Sequence, residues 1–153
     1  MDDLVALERW IAPLLEQLQP AARRALARKI GTELRRSQQQ RIAGQQDPEG
    51  RAFEARKRPI KARTQARGAR VKTGPMFRKL RTANHLRIRA YESEVAVGFI
   101  GRVARIAQVH QHGLDDAARP GGTRVHYARR QLLGFTKADR DRMRELLIEH
   151  LTG

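Results

Sequence analysis

Two histidines in "QVHQHG", His110 and His112, are the first residues whose type and spacing suggest chemistry. Imidazole is a common zinc ligand, but a zinc site needs three or four converging donors. At i and i+2 on a helix, two side chains face different sides, and no third histidine or acid stands at a ligating spacing. The two are expected to lie at an interface or a helix terminus, and no metal is expected. His126, beside Tyr127, reads as a half-buried strand residue. Paired acids occur at Asp115 and Asp116 and within "YESE". Neighbours in a loop do not flank a bond as a general acid and base must, so they read as solvated turn acids. Ser37 and Ser93 are the only serines, and neither is framed as a nucleophile. "ARPGGTR" has glycines and arginines but lacks the Lys-Ser or Lys-Thr of a phosphate loop. Cysteine is absent, which excludes disulfides and thiolate chemistry. An enzyme is not expected, nor is a cofactor.

The strongest chemical signal is charge. Against 16 acids stand 32 Lys and Arg, a formal net charge of +16. Such a chain is drawn to polyanions or to acidic protein surfaces, and the arginine fork suits phosphate and carboxylate alike. The charge is densest in "RAFEARKRPIKART" and on to Lys72. From Arg51 to Lys72 there are nine Lys or Arg and one acid, Glu54. Phe53 is the only aromatic in that run, which is poor equipment for stacking on bases. The run is either a disordered basic loop or an arm that orders on a surface.

Other elements must position these residues. With 153 residues the chain fits one domain, and 40% apolar content with 5% aromatics makes a modest core. No apolar run approaches the roughly 18 residues of a membrane span, and the N-terminus does not read as a signal peptide. Leu4, Leu7, Ile11, Leu14, Leu15 and Leu18 recur at helical spacing, with Pro13 as a kink. Pro20 suits the first turn of a second helix, which carries Ala22, Leu26, Ile30 and Leu34 on one stripe and ends at about Gly44. "GPMFRKL" reads as a short helix with Met76, Phe77 and Leu80. Leu86, Ile88 and Ala90 alternate with charged residues, "YESE" turns, and "VAVGFIG" returns as a hairpin. "RVARIAQVHQHG" reads as a helix with Val103, Ile106, Ala107 and His110 at helical spacing and Gly113 as its stop. "LDDAARPGG" reads as a loop and "TRVHYA" as a short strand. Thr136 and Asp139 form a capping box for a last helix with Met143, Leu146, Leu147, His150 and Leu151 on its apolar side. Helices around a small, mainly antiparallel sheet make an α+β fold with a long basic arm. The expected division is a helical pair over 1–44, the arm over 45–73 and an α+β core over 74–153. Gly98 and Gly113 stand at element ends, and one of them is expected to have a positive φ or a close backbone neighbour.

The ordered set of motifs resembles the phage virion morphogenesis family, the tail completion proteins of contractile-tailed and Mu-like phages. Asp47, Gly50 and Phe53 match its turn, and Pro59, Ile60 and Lys61 its Pro-Leu-Lys type segment. Thr73, Gly74 and Leu80 match the next segment, and Val97 and Gly98 a strand end. Ala107, His110, Gln111 and Gly113 match an Ala-x-x-His-Gln-x-Gly segment. "YARRQLLGF", Tyr127 to Phe135, loosely matches a closing Pro-Arg-x-x-Leu-Gly. The resemblance covers almost the whole chain. It implies a structural protein of a virion or tail-like particle, assembled in the host bacterial cytoplasm. A homo-oligomeric, hexameric ring is implied at the head-proximal end of the tail, terminating the tube and joining it to the neck or head. Tail tube, sheath and head-connector proteins are the implied partners, and no membrane. On this reading Phe53, Arg56, Lys57, Arg58, Pro59, Ile60 and Lys61 are assembly residues, with non-specific DNA contact compatible. The alternative is a non-catalytic nucleic-acid-binding module that uses the same arm.

Overall fold

A computed structural model describes residues 6, 9, 12–56, 74–117 and 120–152. The central element is a long helix, α1, Pro20–Ala43, opened by proline at its first turn and closed at Gly44. Leu26, Ala27, Gly31, Leu34, Gln38 and Ile42 form its buried stripe. Residues 12–16 are helical before it. Leu15 and Leu18, with Ile30 and Leu151, pack on a core of Leu26 and Leu147. Leu4, Leu7 and Ile11 lie outside the described residues.

Strands β1, Leu86–Ala90, and β2, Val95–Phe99, pair antiparallel with Ile88 opposite Val97. The hairpin rests on α1 at Gly31, where an added Cβ would stand 2.4 Å from Ile88 Cγ2 and 2.9 Å from Val95 Cγ2. Helix α2, Val103–His112, ends in a left-handed Gly113. Strands β3, Asp115–Ala117, and β4, Arg124–His126, make a second antiparallel pair. Helix α3, Lys137–Thr152, packs back on α1. Its start is the expected capping box: Thr136 N–H donates to Asp139 Oδ2 and Asp139 N–H to Thr136 Oγ1, both at 3.0 Å. The fold is α+β.

Four local expectations are corrected. "GPMFRKL" forms turns rather than a helix. Phe77 has φ 67°, which a right-handed helix cannot hold, and Leu80 is nevertheless buried. Ile106 sits on the flank of α2 and is 48% exposed, while Val109 is buried. "LDDAARPGG" is not all loop, because Asp115 and Asp116 lie in β3. Asp116 accepts from Arg105, an ion pair that holds its carboxyl below the usual carboxylate range. His126 is exposed, with Nδ1 2.7 Å from Asp115 Oδ1.

Candidate functional site

Between β4 and α3 the chain runs through residues 127–136 without regular structure. A buried extended segment needs partners for its backbone polar groups. Glutamine side chains supply several of them here. Gln111 Oε1 accepts from the amides of Leu132 (2.8 Å) and Leu133 (3.0 Å), and its Nε2 donates to Leu133 O. Buried Gln38 exchanges a reciprocal pair with Gly134. Arg41, itself mostly buried, donates to Leu132 O at 2.8 Å. This strap crosses Gly113 so closely that a Cβ there would lie 2.9 Å from Arg129 N. Arg130 N–H donates to His110 O at 2.7 Å. The His-Gln-x-Gly motif is thus the seat of the strap. His110 and Gln111 bind it, and Gly113 leaves room for it.

The strap in turn holds the root of the basic arm. Arg130 is only 6% exposed. Its Nε donates to Glu54 O at 2.6 Å and its Nη2 to Ala55 O at 3.0 Å. Upstream, Asp47 shapes the turn. Its Oδ1 accepts from the amides of Glu49 and Arg51, each at 2.9 Å, and Gly50 takes φ 82°. Desolvation opposes the charge on Asp47, yet those amides and the Arg51 guanidinium keep its carboxyl below the ordinary range. Gln45 fastens the other side of the root. Its Nε2 donates to Met76 O and its Oε1 accepts from Met76 N–H. Arg56 Nη1 donates to Gly74 O at 3.1 Å. Residues 54–56 and 74–76, which bracket the arm, are therefore tied to one frame.

An aromatic row lines this frame. Phe53 meets Phe77 edge-on at 5.6 Å, Phe77 meets His110 at 4.8 Å, and His110 meets Tyr127 at 5.2 Å. Burial, helped by the nearby Arg130 charge, pushes the His110 pKa down to about 4. The ring is neutral near pH 7, set among aromatic edges and faces. Beside it lies a cavity of about 380 Å³ walled by Phe77, His110, Tyr127, Arg130, Arg56 and Met76, among others.

Phe53, expected at an interface, has its ring turned into the chain's own core beside Ile42, Ala107 and Leu132. The bridge between Gln46 and Ala52 and the bond from Phe53 N–H to Gln45 O fold that stretch back onto α1. Arg56 is exposed at the arm's described edge. Lys57, Arg58, Pro59, Ile60, Lys61 and Thr73 lie outside the described residues. Of the motif residues, Leu80 is buried, Gly74 has φ 95°, and Gly98 has open space where a Cβ would stand. Arg130, Gln38, Gln45 and Arg41 escaped sequence reasoning. A lone polar residue on a helix stripe, as at Gln38 three residues before Arg41, was the available signal.

The phage virion morphogenesis family matches residues 2–152. "Tail completion protein S" of Escherichia phage P2 is 35% identical over 156 residues, covering 99% of each chain. No solved structure matches. The match runs over nearly the whole chain, the stretches that form strap, seat and arm root included, and the chain belongs to the phage virion morphogenesis family, whose members are structural tail proteins rather than enzymes.

Proposed function

We propose that the protein completes the phage tail as a closed ring of copies at its head-proximal end, and that the basic arm is its assembly element. The carrying observation is the convergence of the motif residues on the root of the arm. His110, Gln111 and Gly113 seat the strap, and Arg130 on the strap holds Glu54 and Ala55. A fold that devotes these bonds to fixing both ends of a charged segment is built to present that segment. Heterologous contacts that close by rotation give rings, and a hexamer matches a six-fold tail. The relative's name, a tail completion protein, supports the same role. In this reading Arg56, Lys57, Arg58, Pro59, Ile60 and Lys61 meet a neighbouring copy or the tube and sheath proteins, and the ring offers its other face to the neck. The protein then resides in the virion or in a headless tail-like particle.

The net charge of +16 supports a second reading, non-specific DNA contact through the same arm. Electron microscopy of particles assembled with and without the protein tests the first. Tails of unregulated length, or tails that fail to join heads, are expected in its absence. Normal, joined tails would contradict the proposal.

A further inference from the structure

Arg130 presents an unusual electrostatic situation. A guanidinium carries five N–H donors and a fixed charge. Among the described residues two donors are engaged, on Glu54 O and Ala55 O, and Nη1 stands 3.5 Å from His110 Nδ1. Among the described residues no carboxylate forms an ion pair with this buried cation, and burial lowers its pKa. Glu54 raises the pKa in part and Arg56 lowers it. A buried cation that a neighbouring carboxylate offsets only in part is costly, and a carboxylate placed against it gains a short, charge-assisted bond.

The cavity of about 380 Å³ provides the place. Its volume lies within the roughly 300–1,000 Å³ range of small-ligand pockets. Rings of Phe77, His110 and Tyr127, with Met76 and Val125, make apolar walls, and Arg130 and Arg56 supply the cations. Glu54 and His126 also line it; the two arginines outnumber the one carboxylate, and the His126 ring is engaged by Asp115. We infer that this cavity receives a carboxylate flanked by apolar side chains, on an extended acidic segment of a partner protein in the particle. A DNA backbone suits it poorly, because it would bring a strongly hydrated phosphate against three aromatic walls. Exposed arginines elsewhere serve phosphate better.

The inference rests on the reading of this face as an assembly surface and names the chemistry of the partner. The probes are acetylated, amidated pentapeptides with one central Asp or Glu between Phe, Leu or Ile, with Asn or Gln counterparts, added to the full-length protein. NMR follows the Arg130 Nε–H and His110 ring resonances. Acidic peptides are expected to shift both saturably, with the amide counterparts about tenfold weaker or more, the loss of one charge-assisted bond. Arg130→Gln should abolish the response. Because that variant also loses the arm-root bonds, Val125→Phe, which fills the cavity and leaves Arg130 in place, should abolish it too. Equal binding of acid and amide peptides, or no response to any acidic member, overturns the inference. So does tighter binding of inorganic phosphate or a DNA dodecamer at the same resonances. Any of these outcomes combined with tails that still require the protein would sink the carboxylate site and leave the ring proposal standing.

Discussion

Gly113 meets two demands at once: φ 64°, and a strap backbone 2.9 Å from where a Cβ would sit. Neither can be relieved by a rotamer change, because the obstacle is backbone. Gly113→Ala should lower stability by roughly 1–3 kcal/mol, whereas Gly98→Ala, in open space at ordinary φ, should stay within about 0.5 kcal/mol. Equal chemical-denaturation midpoints for the two variants would refute the strap crossing. Gln111 gives a sharper case. Gln111→Leu leaves the Leu132 and Leu133 amides without their acceptor, at roughly 1–3 kcal/mol for each buried unsatisfied group. Hydrogen exchange should report it first, with those two amides losing protection while α1 keeps its own. His110 supplies a pH signature. Its folded pKa of about 4 lies below the unfolded value of 6.5, so the unfolded chain takes up the proton first. This group leaves stability flat above about 6.5, lowers it as pH falls from there, and has no further effect below about 4. Charged and titratable groups lining the same cavity are Arg130 from the strap, Arg56 and Glu54 from the arm root, and His126 from β4. His110→Phe keeps an aromatic ring in the row and should flatten the pH dependence of thermal unfolding across that window. An unchanged slope would mean the ring is not buried as described.

At the scale of elements, α1 and the hairpin approach each other through Gly31. Gly31→Ala gains about 1 kcal/mol in helix propensity. It drives a methyl into Ile88 and Val95, and overpacking of that kind costs typically about 1–3 kcal/mol. A net loss is expected, largest where the hairpin cannot shift, and a rise in melting temperature would contradict the packing. The sequence made this level partly readable. Period-2 alternation exposed the hairpin, Pro20 and Gly44 bracketed α1, and Thr136 with Asp139 announced α3. Local signals of that kind survive because each is set within a few residues. What escaped notice was non-local. Gln38 meets Gly134 and Arg130 meets Glu54 across stretches that no periodicity spans, and a glutamine gives no sign that it will bind backbone. Phe77 misled for a related reason: it holds a positive φ while its ring packs on Phe53 and His110, and its own propensity announces neither. Phe53 looked like an anchor for a neighbour because it stands alone among charges, yet the Asp47 turn folds it inward. Phe53→Ala should therefore lower stability before it touches assembly, by about 3–5 kcal/mol were the ring fully buried and by less at its half-buried site.

For the whole molecule, a highly cationic chain holds the two ends of a basic segment on one frame, and the proposal gives that segment the work of assembly. Pure phosphate binding would weaken steeply with salt, by roughly 10³–10⁵ between about 50 and 200 mM for 6–10 contacts. Apolar contact from Pro59 and Ile60 beside the charges is not screened, so association among tail components should weaken only modestly over that range. The most direct measurement replaces Lys57, Arg58 and Lys61 together with glutamine and spares Arg56, which ties the arm root to Gly74. Thermal unfolding of the purified variant is then followed alongside negative-stain counts of completed tails. The account predicts an unchanged melting temperature and few completed tails. Wild-type numbers of completed tails, with DNA binding lost, would contradict it and assign the arm to nucleic acid.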